Sequence, residues 1–271
     1  MIISASIATR VADKLRKTRA AVDTAYRASA KYNAELNYWH GALSDLDNWF
    51  NRGTIDWWGI KPPTEAQKKQ ASPLWIVNAV MTMHAMRPSY HEELKIERDF
   101  FAGKRVLEIG NGPLAPILQF DDCERHGIDP LNNLYMAAGW PLFAYDAKFI
   151  SMGAERLPYP DEYFDAVLSV NALDHVDDFN KVASEMQRVV KRGGEIRFEV
   201  EYHQPTVTEP LQLNDAKVWQ AFSLCAGKVV CSRTGQEMYA ELARRYDLVT
   251  NRLERFGDEQ FVTWTMRPAK K

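Results

Sequence analysis

The chain has 271 residues, 46% of them apolar and 26% charged. That is the balance of a soluble globular protein with room for one large domain, or for one domain and a sizeable extension. A formal charge of −2 excludes the strongly basic face of nucleic-acid binders, and no apolar run approaches the ~18 residues that cross a bilayer. Three cysteines, Cys123, Cys225 and Cys231, form no CxxC pair and no metal-ligand spacing, which favours a reducing compartment such as the cytoplasm.

Residues 1–31 carry seven Lys/Arg against two Asp, Asp13 and Asp23. Ile7, Val11, Leu15 and Val22 recur at near-helical spacing, so an ordinary amphipathic helix is expected here, without a secretory apolar core. Helical patterning continues to about Phe50, and Gly53, Gly59 and Lys61-Pro62-Pro63 then interrupt it. A further helix is expected over Glu65–Met86, ending before Pro88 because a residue preceding proline disfavours the helical region. Trp39, Trp49, Trp57, Trp58 and Trp75, five of the eight tryptophans, lie in this part of the chain. They are read chiefly as glue for the helices, with pocket lining as the alternative.

From Lys104 strands and helices alternate. Strands are expected at Val106–Ile109, Glu124–Ile128, Lys148–Ser151, Ala166–Val170 and Glu195–Glu201. Helices are expected at Asn132–Ala138, Asn180–Val190, Asp215–Ala226 and Gly235–Tyr246. Alternation of this kind builds a parallel sheet covered on both faces. The tail, Leu253–Phe256 then Gly257-Asp258-Glu259 then Phe261–Met266, reads as a closing antiparallel hairpin. The expected organisation is a helical extension over residues 1–98, serving as lid, substrate or assembly region, and an α/β domain over residues 99–271.

The first strand runs into VLEIGNGPLAP, residues 106–116. Gly110 and Gly112 have no Cβ, so a ligand can approach the backbone between them. With Ala115 and Asp129 the spacing also satisfies the dinucleotide pattern, a weak signal alone. Glu108 argues against a diphosphate, which a nearby carboxylate repels, and for a ligand bearing an ammonium or sulfonium. Asp129, closing the second strand, is placed to accept hydrogen bonds from ribose hydroxyls.

Val106–Pro116, Gly127–Leu131, Gly153–Asp178 and Glu185–Val200 together resemble the class I S-adenosylmethionine-dependent methyltransferases, over about Gly103 to Val200. The wording of Ile128–Leu131 and Asn171–Val176 is most similar to members linked to sugar or polysaccharide biosynthesis. The resemblance implies a mostly parallel, seven-stranded Rossmann-like sheet with a C-terminal antiparallel hairpin, and S-adenosylmethionine as cofactor. It implies that Glu108, Gly110, Asn111 and Gly112 hold the methionine part and that Asp129 and Leu131 clamp ribose and adenine. Ala154 and Glu155 would meet the adenine edge, and Asn171 and Ala172 the methyl-bearing side. The sequence departs from the family pattern at Leu114, where a third glycine is common, and at Gly153, where an acid is common. Pro113 and Pro116 bracket and shorten the first crossover helix.

Methyl transfer needs alignment and a deprotonated nucleophile, and a positioned base contributes roughly 10²–10⁴-fold. His175, after the fourth strand, and His203, after the fifth, are the candidate bases, each with a bland alternative as a packed or loop histidine. Asp174, Asp177 and Asp178 could offer oxygen ligands, but Asp177-Asp178 reads more simply as a helix cap, and no metal is expected. The expected function is methyl transfer to oxygen or nitrogen of a small molecule or glycan, with no nucleic-acid partner, no integral membrane association and self-assembly through the N-terminal helices. The alternatives are an NAD-dependent oxidoreductase, disfavoured because no tyrosine is followed by lysine four positions later, and a non-catalytic cofactor-binding or assembly module.

Overall fold

The computed structural model describes residues 29–87, 89–249 and 259–268. Most of the N-terminal basic segment and the Leu253–Phe256 arm of the expected hairpin lie outside the described residues. Seven strands form one sheet: β1 Arg105–Ile109, β2 Glu124–Asp129, β3 Lys148–Ser151, β4 Phe164–Val170, β5 Val190–Tyr202, β6 Cys225–Thr234 and β7 Gln260–Pro268. The order across the sheet is β3-β2-β1-β4-β5-β7-β6. The first five are parallel, and β7 runs antiparallel between β5 and β6.

The helices are α1 Ala30–Asp47, α2 Trp75–Met86, α3 Tyr90–Glu93, α4 Asn132–Ala138, α5 Phe179–Val189, α6 Asp215–Ala221 and α7 Gly235–Tyr246. Each well-capped helix shows its cause. In α5, Asp178 accepts the Lys181 N–H, and Phe179, Val182, Ala183, Met186 and Val189 recur on one buried face. Thr234 and Glu237 cap α7 reciprocally. Between β1 and β2 the crossover shrinks to a short 3₁₀ turn at Pro116–Gln119, as the bracketing prolines imply.

Two expected helix bounds need correction. The helix expected over Glu65–Met86 begins only at Trp75. Ser72 precedes Pro73, which disfavours a helical Ser72, and Asn78 folds back to hydrogen-bond both the N–H and the carbonyl of Ser72. The helix expected over Asp215–Ala226 stops at Ala221, and Cys225 already opens β6. β7 has β5 and β6 as its antiparallel partners. Gly193-Gly194 lie inside an irregular start of β5: pairing with β4 passes from Phe164–Val190 directly to Ala166–Glu195.

The sheet is covered on both faces. One apolar cluster includes Phe179, Val182 and Met186 of α5, Val218 of α6, and Phe198 and Trp264 of the sheet. The other joins Leu46 and Trp49 to Val80 of α2, Leu134 and Tyr135 of α4, Trp140, and Leu242 of α7. Residues on both sides of position 98 thus share one core. Trp49 and Trp57 are buried in it and Trp75 is exposed, while Trp39 and Trp58 face a cavity.

Candidate functional site

The carboxyl ends of β1, β2 and β4 open onto a cavity of about 320 Å³, roofed by Lys31, Tyr32, Glu35 and Trp39. This is where open α/β sheets bind ligands. Its floor is the turn after β1. Gly110 and Gly112 have φ of 74° and 51°, a region costly for residues with a Cβ. A Cβ on Gly110 would also lie 2.3 Å from that of Ala172. Asn171 holds the same left-handed conformation at φ 48°, a strained position of the kind found at ligand sites.

Glu108 is 1% exposed. Burial pushes its pKa up to about 8, and the neighbouring Tyr90 hydroxyl and the Ile117 N–H only partly pull it back. At neutral pH its protonated form is therefore favoured. This differs from the bare carboxylate expected beside the turn, because burial disfavours the charged form. Asp129 is likewise buried; desolvation lifts it to about 6, although its two oxygens accept N–H bonds from Leu131 at 2.8 Å and Gly112 at 3.1 Å. Both acids are thus poised to gain from positive charge or from hydroxyl donors.

Asn111 is buried, and its side chain is committed to the turn, donating to the Gly112 carbonyl at 2.6 Å and to Asn132 Oδ1 at 2.8 Å. Leu131, Asn171 and Ala172 line the cavity; Ala154 and Glu155 do not. Ala154 packs in the opposite apolar cluster. Glu155 accepts the backbone N–H groups of Asp177 and Asp178, which ties it to the start of α5 rather than to a ligand.

His175 lines the cavity, its ring between Glu35 Oε2 at 4.0 Å and Glu209 Oε1 at 3.7 Å. His203 is placed differently from the expectation. Its Nε2 contacts Asp174 Oδ2 at 3.0 Å and its Nδ1 contacts the Gln204 carbonyl at 2.6 Å. The buried Asp174 carboxylate raises its pKa to about 9. With both nitrogens engaged as donors, His203 fastens the chain after β5 to the end of β4 and has no lone pair to act as a base. Asp178 caps α5 and Asp177 pairs with Lys31. Asp174, His175 and Glu209 offer ligand atoms within 4.8 Å of one another, but the Lys31 ammonium, bonded to the His175 carbonyl, and the His203 imidazolium oppose a cation there.

The strand order decides between the cofactor classes. The dinucleotide-binding sheet runs 3-2-1-4-5-6, whereas here the antiparallel β7 is inserted between β5 and β6. Residues 107–198 match the family model described as a methyltransferase domain. This match and the seven-stranded sheet support a class I S-adenosylmethionine-dependent methyltransferase domain. It is 27% identical over 176 residues to the ubiquinone/menaquinone biosynthesis C-methyltransferase UbiE of Vibrio parahaemolyticus, covering 62% of this chain and 64% of that protein. It is 31% identical over 101 residues to the sterol 24-C-methyltransferase ERG6B of Gibberella zeae, covering 34% of this chain and 26% of that one. The chain thus spans less than two thirds of these relatives' lengths. Among solved structures, phosphoethanolamine N-methyltransferase 2 of Haemonchus contortus shares the fold at a TM-score of 0.50 and 14% identity, over 71% of this chain and 57% of that one.

Beyond the expected residues, the methyltransferase domain receives Glu35 and Trp39 from α1 and Tyr135 and Asn132 from α4. Asn132 follows the recognised Ile128–Leu131 run directly and could have been found there. Glu35 and Trp39, over 60 residues upstream of the motifs, carry no signal of their own.

Proposed function

We propose that the protein transfers the methyl group of S-adenosylmethionine to an oxygen or nitrogen of a small molecule or glycan, in the reducing cytoplasm that its three free thiols suit. One observation carries this reading: two buried acids, Glu108 and Asp129, flank a left-handed Gly110-x-Gly112 turn whose close approach to Ala172 leaves room for a backbone contact and for no side chain. In this reading Glu108 takes the ammonium of the methionine part, with the backbone of Gly110, Asn111 and Gly112 beside it. Asp129 takes the ribose hydroxyls, Leu131 and Tyr135 the adenine, and Asn171 and Ala172 the methyl-bearing side. When bound, the cofactor supplies an electrophilic methyl group on a sulfonium. Ala154 and Glu155 are left out, because they lie away from the cavity.

His175 is the group on the cavity wall proposed to take the acceptor's proton, held between Glu35 and Glu209. Trp39, in edge contact with Trp58 and Trp140, and the rest of α1 exclude water from the reacting atoms. Residues 29–98 thereby serve as the roof of the site. Among the described residues no helix is long and apolar enough to cross a membrane, which accords with an acceptor met from water.

Calorimetry with S-adenosylmethionine, S-adenosylhomocysteine and NAD tests the reading. Binding of the first two, abolished in Gly110→Ala, is expected. Binding of NAD alone would end it, and no binding of any of them would leave an assembly module.

A further inference from the structure

A second cavity, of about 330 Å³, adjoins the first and shares Trp58, Glu93, Val170 and Asn171 with it. Its walls are of two kinds. Trp58, Tyr239 and Phe261 supply aromatic surface, and Glu93, Glu199 and Glu201 supply carboxyl groups. Arg87 is the one guanidinium on its lining, and it is turned to the Trp58 carbonyl at 3.2 Å.

The Trp58 ring is held on one face and at its edge. It stacks on Trp57 with centroids 4.8 Å apart at 14°, and its indole N–H donates to the Tyr38 hydroxyl at 3.2 Å. The carboxyls are unequally satisfied. Glu199 accepts from Thr263 Oγ1 at 3.0 Å and from Arg233 Nη2 at 3.3 Å. The Glu201 carboxyl has no hydrogen-bond or ion-pair partner among the described residues; His203 acts on it from a distance as a cation, and Glu209, Asp174 and Glu259 act against it. Burial holds Glu199 and Glu201 up at about 7, and Glu93 is raised as well. Arg87 and Arg233 act on Glu93 and Arg233 on Glu199, so Glu201 is the carboxyl in this cavity left without a bonded cation, and aromatic faces together with such a carboxylate are the combination that receives an ammonium ion.

Resting on the methyltransferase reading, we propose that this second cavity seats the acceptor, and that the acceptor is a small amine whose ammonium group lies against Glu201 and Glu93 while its apolar body packs on Trp58 and Phe261. The shared wall at Val170 and Asn171 puts such a molecule next to the methyl-bearing side of the first cavity. Occupation of the seat does not need the cofactor, because the chain's own residues build it.

Two probes of equal shape test the charge requirement: 2-phenylethylamine and 2-phenylethanol, titrated calorimetrically into the whole protein at pH 7.5 with and without saturating S-adenosylhomocysteine. The amine is expected to bind at least about tenfold more tightly than the alcohol. Glu201→Gln is expected to remove most of that preference while leaving S-adenosylhomocysteine affinity unchanged. Equal affinities of the two probes, no amine binding at millimolar concentration, or a preference that survives Glu201→Gln would each overturn the proposal, and the first two need no variant. Absence of S-adenosylhomocysteine binding with the amine preference intact would instead fault the methyltransferase reading.

Discussion

Glu108→Gln is the substitution that most directly tests the electrostatics of the site. The native carboxyl titrates near 8 in the folded chain and near 4.5 in an exposed one. An acid with a raised folded pKa costs stability as pH rises, because the unfolded chain releases the proton above about 4.5 and the folded chain keeps it until about 8. Linkage puts that cost below about 1 kcal/mol at pH 5, about 3 kcal/mol at pH 7 and near 5 kcal/mol at the alkaline limit. Glutamine keeps the shape and an acceptor for the Ile117 N–H but buries an amide, a cost of about 1 kcal/mol. The variant should therefore be no more stable than wild type at pH 5 and about 2 kcal/mol more stable at pH 7. Urea unfolding followed by tryptophan fluorescence at several pH values from 5 to 8 measures the difference. Parallel stability profiles for the two proteins would refute the reasoning, since only a charge-dependent term makes them diverge. The same variant should bind S-adenosylmethionine at least about tenfold more weakly.

The remaining tests follow from the same geometry. Because a bound ammonium returns Glu108 to its carboxylate form, S-adenosylmethionine binding near pH 7 should release close to one proton and tighten as pH rises from 6 to 7.5; calorimetry in buffers of different ionisation enthalpy measures this, and an absence of proton exchange would contradict it. Asp129→Ala should raise the dissociation constant about tenfold through the lost ribose contact, and an unchanged constant would remove Asp129 from that role. Gly110→Ala should lower the melting temperature by several degrees, since the left-handed backbone alone costs about 1–2 kcal/mol before the contact with Ala172 is relieved. His203 should titrate near 9 by NMR. Its ion pair with Asp174 contributes stability that is complete below about pH 6.5 and lost as pH rises through 9, so His203→Ala should destabilise most below about pH 6.5, less at neutral pH and least above 9.

The parts of the fold that could be read from the sequence were those whose causes are local. Lys148–Ser151, Asn132–Ala138 and Gly235–Tyr246 begin and end where their own apolar spacing and caps put them. β6 escaped notice because it lies at the sheet edge, where most of its residues are exposed or half-buried and no clear alternation marks an inner face. In the site, Glu108, the glycines and Asp129 declare themselves through strand, turn and strand. The raised pKa of the His203 imidazole did not, since it depends on Asp174, 29 residues away. Glu155 was assigned from a family pattern alone, and its backbone partners at Asp177 and Asp178 follow from the path of a loop that no local spacing dictates.

The shared core beneath α2, α4 and α7 bears on how the protein can be trimmed. A shortened version starting at residue 99 would strip the cover from Leu134, Tyr135, Trp140 and Leu242, leaving a sticky aromatic face where a ligand roof used to be. Such a fragment would clump before it could report on catalysis, so the helices ahead of the sheet have to travel with it in any expression design.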